Sequence, residues 1–107
     1  MKHPSSTFII IWEFSPRKGR ESEFELAYGS NGDWAKFFSS GKGYIGTDLH
    51  RDIDQANRYL TIDEWTSREA FETFKDQRQE EYHRIDKKCE SLTEYEKLVG
   101  LFERLKD

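Results

Sequence analysis

The sequence has 107 residues, 36% of them charged, with a formal net charge of −4. That length fits a single domain, 1–107, and an acidic balance without a basic stripe argues against nucleic acid as a partner. The apolar run at residues 8–12 is too short to cross a bilayer, so no membrane partner is expected either.

Aliphatic side chains are scarce, whereas aromatic residues make up 15% of the chain. Disordered chains are poor in aromatics. The chain is therefore expected to fold around Phe, Tyr and Trp, each of which brings a large buried area. Residues 1–7 lack the charged-then-apolar order of a signal peptide, and 1–6, including His3, are expected to form a flexible N-terminus. Cys89 is the single cysteine, which leaves no internal disulfide. A reducing cytoplasm is the expected compartment.

Residues 7–14 are β-branched or aromatic at almost every position and run into Ser15-Pro16. This predicts a strand covered on both faces. Phe8, Ile10, Trp12 and Phe14 share one face; Ile9 and Ile11 share the other. After a turn at 16–19, a helix is expected over 20–28, with Phe24, Ala27 and Tyr28 on one stripe. Residues 29–32 interrupt it. Asp33 reads as the N-cap of a short helix whose Trp34, Phe37 and Phe38 fall at i, i+3 and i+4. A second strand is expected at 44–51, a polar turn at 52–57, and a third strand at 58–65, antiparallel to the second. Thr66 and Glu69 fit a capping box opening a helix with Ala70, Phe71 and Phe74. That helix is expected to break in the polar stretch 76–81. Tyr82, Ile85, Cys89 and Leu92 then recur at helical spacing, and 93–105 reads as a long last strand.

The order of elements is a β-α-β-β-α-β unit. The expected fold class is α+β, ferredoxin-like, with a four-stranded antiparallel sheet. Helices cover one face of such a sheet. Whichever face they take, the other carries large apolar side chains, a patch of the kind that marks an interface. Two sheets packed face to face about a two-fold axis would bury it, so a homodimer through the sheet faces is the expected assembly.

Four stretches carry a resemblance to a known family. Residues 11–24 place Pro16 and Gly19 in a turn between a strand and a helix bearing Glu23 and Phe24. Residues 28–34, from Tyr28 and Gly29 to Asp33 and Trp34, form a distinctive connector. Residues 43–49 open a strand with Gly43-Tyr44. Tyr59, Thr61, Asp63, Glu64 and Trp65, followed by Ser67, Arg68, Glu69, Ala70 and Phe71, give the most specific match. Together they resemble the antibiotic biosynthesis monooxygenase family over 7–102. The resemblance implies a dimeric α/β barrel. In different branches it implies cofactor-free oxygenases of phenolic or quinol substrates, or haem-degrading enzymes. The haem-degrading branch uses an Asn, a Trp and a His. These fall on Trp12, on Phe74 and one residue from His83, so two of the three positions depart. The implied function is a monooxygenase of an aromatic, phenol- or quinol-like small molecule that uses no cofactor. A non-catalytic dimeric protein binding a small ligand is the alternative, with a haem-binding or haem-degrading relative behind it.

A cofactor-free oxygenase needs a dry pocket for an electron-rich ring, a base to form the phenolate, and donors to hold negative charge. Trp12, Trp34, Phe38 and Phe74 are the candidate substrate-binding residues, although the same rings serve equally as plain core. Histidine titrates near neutral pH, which makes His83 the candidate acid/base. Its competing reading is an exposed side chain among Glu80, Glu81 and Arg84. Tyr82 is the candidate catalytic partner, donating to a substrate oxygen, or else packs with its hydroxyl at the rim. Asp63 and Glu64 face opposite ways on a strand. One of them pointing inward would need a partner or a raised pKa; a solvent-facing or interface salt bridge is the expectation. His3, His50 and His83 are scattered and Cys89 lacks ligand spacing, so no metal site is expected. Cys89 reads as a small buried apolar side chain.

Overall fold

The computed structural model describes residues 6–105. The elements are β1 (Thr7–Pro16), α1 (Glu21–Tyr28), α2 (Asp33–Phe38), β2 (Tyr44–Arg51), β3 (Tyr59–Trp65), α3 (Arg68–Gln77), α4 (Gln79–Cys89), a 3₁₀ turn (Glu90–Leu92) and β4 (Thr93–Arg104). The strands pair antiparallel in the order β2-β3-β1-β4. This is the ferredoxin-like α+β arrangement. The expected flexible segment 1–6 lies outside the described residues except for Ser6, which is buried. Among the described residues no helix is long and apolar enough to cross a membrane.

Strand alternation separates two environments. On the helix-covered face Phe8, Ile10 and Phe14 of β1 are buried, as are Tyr59, Thr61, Asp63 and Trp65 of β3. The core is aromatic, as the composition implies. Trp65 has no exposed surface, and the rings of Phe38, Tyr44, Phe71 and Phe74 stand 5.3 to 5.8 Å from it, centroid to centroid. Such pairs add about 0.5–1.5 kcal/mol each beyond the area they bury. Among the described residues no helix lies on the opposite face of the sheet. There Ile11, Leu60 and Ile62 are half-buried. Phe102, 46% exposed, folds its ring over Gly100, where a Cβ would lie 2.9 Å from the ring.

The helix starts differ from expectation in two places. Ser67 caps α3, accepting from the Ala70 N–H at 3.0 Å. The third helical residue is then Ala70, not an acid, so Thr66 and Glu69 do not form the predicted box. Asp33 is the first residue of α2 rather than its cap, and its carboxylate pairs with Lys88 Nζ at 2.9 Å. The break expected in 76–81 falls at Arg78, which ends α3 and precedes α4. Its guanidinium lies 5.5 Å from the centroids of both Phe37 and Phe74 and pairs with Glu81 at 2.6 Å.

Candidate functional site

Between the helices and the sheet lies a cavity of about 430 Å³, a size suited to a small organic molecule. Its walls are rings: Trp12 and Phe14 of β1, Tyr28 of α1, Trp34 and Phe38 of α2, and Tyr82 of α4. Its floor is the sheet, where Thr47, Thr61 and Asp63 are exposed to the hollow. These side chains are short beside the rings of Trp12, Tyr59 and Trp65 on the same face, and the difference in length leaves the space open. Lys75, His83, Asp86 and Glu96 line its outer part, and all are solvent-exposed.

Trp12, Trp34, Phe38, Tyr82 and His83 therefore meet at one place. Phe74 does not. Its ring packs behind the wall, 4.9 Å from Phe37 and 5.3 Å from Trp65. Gly41 permits this, since a Cβ there would stand 2.6 Å from Phe74 and 2.9 Å from Trp65. His83 is at the mouth, exposed, with its ring 6.4 Å from that of Tyr82. His50 is exposed on β2, and His3 lies outside the described residues. Cys89 is 1% exposed, and burial pushes its thiol up.

Tyr82 stands edge-on to Trp34 at 5.2 Å, with Lys75 Nζ 4.7 Å above its ring. Burial first, and then the charges of Asp86, Asp63 and Glu96, push its phenol up to about 12. It is a hydrogen-bond donor throughout the neutral range. Burial likewise raises the phenol of Tyr28.

Asp63 corrects the salt-bridge expectation. Its β-partners are Ile10 on one side and Thr47 on the other, and it is 8% exposed. No ion pair to it occurs among the described residues. Its Oδ1 accepts from Thr47 Oγ1 at 2.5 Å. Burial pushes its carboxyl up to about 6, opposed by that hydrogen bond. The salt bridge belongs instead to Glu64, paired with Arg104 at 3.2 Å on the open face. The available signal for Asp63 was parity: it alternates in step with Thr61 and Trp65. Among the described residues no group of three or more His, Cys, Asp and Glu could hold a metal ion.

The fold recurs in solved structures. SnoaB, described as a cofactor-independent oxygenase from Streptomyces nogalater, matches with a TM-score of 0.76 at 22% identity, covering 96% of this chain and 97% of that one. PA3566 from Pseudomonas aeruginosa matches with a TM-score of 0.68 at 19% identity, over 98% and 100% of the two chains. SO0527 from Shewanella oneidensis matches with a TM-score of 0.63 at 16% identity, over 96% and 95%. At such identities the likeness is one of fold. No curated protein sequence matches the chain. The sequence model of the antibiotic biosynthesis monooxygenase family spans residues 7–85, from β1 into α4 and across all but the last two polar groups of the cavity, and the chain belongs to that family.

Proposed function

We propose that this protein is a monooxygenase that oxidises a phenol- or quinol-like aromatic molecule in the ring-lined cavity without a metal or organic cofactor. The observation that carries this reading is the buried Asp63 carboxyl on the cavity floor. A carboxyl raised to about 6 is a stronger base than a solvated one and is still ionised at neutral pH. Asp63 takes the proton of a substrate hydroxyl, and the phenolate so formed is electron-rich enough to reduce O2. For a phenol with an unsubstituted para carbon, one oxygen atom enters the ring and the other leaves as water. The products are a quinone and H2O. All four electrons come from the substrate, so no outside reductant is needed. Tyr82 donates to the substrate oxygen on which charge develops. Trp12, Trp34 and Phe38 hold the ring. His83, at the mouth, exchanges protons with solvent. Family membership supports the reading, as does the shared fold of SnoaB.

The working unit in this reading is a homodimer, two copies joined through their open sheet faces into an α/β barrel. Support comes from Ile11, Leu60, Ile62 and Phe102, which give that face an apolar centre.

Oxygen uptake by metal-stripped protein over a panel of phenols, hydroquinones and naphthols tests the reaction. Uptake with at least one of these classes, lost in Asp63→Asn, is expected. Binding without uptake across the panel would reassign the cavity to ligand carriage.

A further inference from the structure

The Asp63 carboxylate ends a line of hydroxyls. Thr47 Oγ1 is 2.5 Å from Asp63 Oδ1, and the Tyr44 hydroxyl is 2.6 Å from Thr47 Oγ1. Tyr44 and Thr47 are three positions apart on β2, and in a regular strand that spacing puts side chains on opposite faces. Here a bulge reverses the parity. Tyr44 pairs with Trp65 and Gly46 with Glu64, which leaves Ile45 as an extra residue between them. Both hydroxyls therefore reach the helix-covered face and touch.

The direction of the line follows from proton counting. A threonine hydroxyl has one proton. With that proton donated in a hydrogen bond to Asp63 Oδ1, Thr47 offers Tyr44 lone pairs alone, so Tyr44 donates to Thr47 and Thr47 to Asp63. The second carboxylate oxygen, Oδ2, accepts no hydrogen bond among the described residues, and the side chain lines the cavity. The other titratable groups around that hollow are Tyr28, Lys75, Tyr82, His83, Asp86 and Glu96. None of them hydrogen-bonds the Asp63 carboxylate among the described residues.

We propose that Thr47 and Tyr44 are positioning residues for Asp63, holding Oδ1 so that Oδ2 is presented to the substrate and keeping the carboxylate in its charged form. The inference rests on reading Asp63 as the base of the site. Thr47 is the donor that opposes the effect of burial on this group, and the β2 bulge is what supplies Tyr44 behind it.

Titration of Asp63 itself tests this without any substrate. With ¹³C-labelled aspartate, the Asp63 carboxyl signal is identified by its absence in Asp63→Asn and followed against pH. Thr47→Val keeps the shape and removes the donor; the midpoint is expected to rise by about one pH unit or more. Thr47→Ser is expected to restore the wild-type midpoint, and Tyr44→Phe to raise it by a smaller amount. Wild-type midpoints in both Thr47→Val and Tyr44→Phe would overturn the proposal. If Thr47→Val does not fold, Tyr44→Phe decides, a raised midpoint supporting the proposal and an unchanged one overturning it. The reaction is judged separately. Shifted midpoints in a protein that oxidises nothing on the panel would remove the assigned activity and leave the positioning role standing. Unshifted midpoints in an active protein would remove the positioning role alone.

Discussion

Asp63 and Glu64 are neighbours on β3 and sit in opposite environments. Asp63 lies under the helices with a hydroxyl as its partner, whereas Glu64 lies on the open face, bonded by Thr7 at 2.5 Å and Arg104 at 3.2 Å. A slip of one residue in strand register would exchange them. The two carboxylates should therefore respond oppositely to neutralisation. Burial moves Asp63 from 3.8 to about 6, so the folded state holds its proton more tightly than the unfolded state. The stability this gives is fully present below pH 3.8 and is lost as pH rises through about 6. At neutral pH the buried charge lowers stability by about 3 kcal/mol. Asp63→Asn is expected to recover up to that amount at pH 7 and little below pH 3.8, measured by urea unfolding at both. Glu64→Gln breaks a partly exposed pair and is expected to change stability by less than about 1 kcal/mol. A less stable Asp63→Asn at pH 7 would mean that the carboxylate is better solvated than its burial implies.

The same ionisation predicts the pH dependence of turnover. A base must be deprotonated to act, so kcat/KM should climb about tenfold per pH unit well below the Asp63 midpoint and level off above about 6. Tyr82, raised to about 12, keeps its proton across this range and adds no alkaline limb near neutrality. A rate profile that stays flat from acid to neutral pH would place the base elsewhere.

Tyr82 and His83 are adjacent on α4 and separable by substitution. Tyr82→Phe keeps the ring against Trp34 and removes the donor; turnover is expected to fall by about 100-fold with the fold intact. His83→Ala acts at the exposed mouth and is expected to lower turnover by less than about tenfold, the low end of general acid–base effects. Steady-state kinetics of both variants alongside Asp63→Asn rank the three groups. If His83→Ala is the most damaging, the base is the histidine and not the carboxylate.

The strands were readable from β-branched and aromatic residues bounded by turn signals: the expected 44–51 coincides with β2, and β1 and β3 shift by no more than two residues at either end. Caps were less readable. Thr66 and Ser67 are adjacent hydroxyls, and which one caps α3 depends on backbone geometry that a local pattern does not hold. Asp33 falls one residue inside α2 and pairs with Lys88, a residue of a distant helix, a contact that no local pattern holds. Within the site, the rings of Trp12, Trp34 and Phe38 were legible as an aromatic set. Phe74 belonged to the same pattern and was turned aside by the gap at Gly41. Asp63 was visible as one of two opposed carboxylates. Its burial was not, because β1 is apolar on both faces and gives no sign of which one the helices cover. The cavity itself depends on short side chains at Thr47 and Thr61 facing long ones across a layer gap, a relation between elements far apart in sequence.

Two glycines give a packing test with an internal control. Gly41→Ala forces a methyl group against Phe74 and Trp65, at 2.6 and 2.9 Å. Overpacking of this kind is expected to lower stability by about 1–3 kcal/mol. At Gly46 a Cβ meets nothing within 4 Å, so Gly46→Ala should unfold close to the wild-type temperature. Equal melting temperatures for the two variants would show that the Phe74 and Trp65 rings yield more readily than a close-packed core allows.

The dimer reading concentrates its test on Phe102. This residue pairs with Ile9 across the β1–β4 ladder, so both face the side of the sheet away from the helices. Burying such a ring contributes about 1.5–3 kcal/mol, and two-fold symmetry applies any change twice. Phe102→Glu removes both contributions and sets two like charges into one interface. The dimer dissociation constant should rise by at least about 100-fold, since each 1.4 kcal/mol is a factor of ten. Sedimentation velocity over a range of concentrations reads this directly. Wild-type protein should sediment as a dimer and Phe102→Glu as a monomer, with the Asp63 titration unchanged because that group lies on the other face of the sheet. A wild-type chain that sediments as a monomer at every concentration would leave the apolar open face without its second copy.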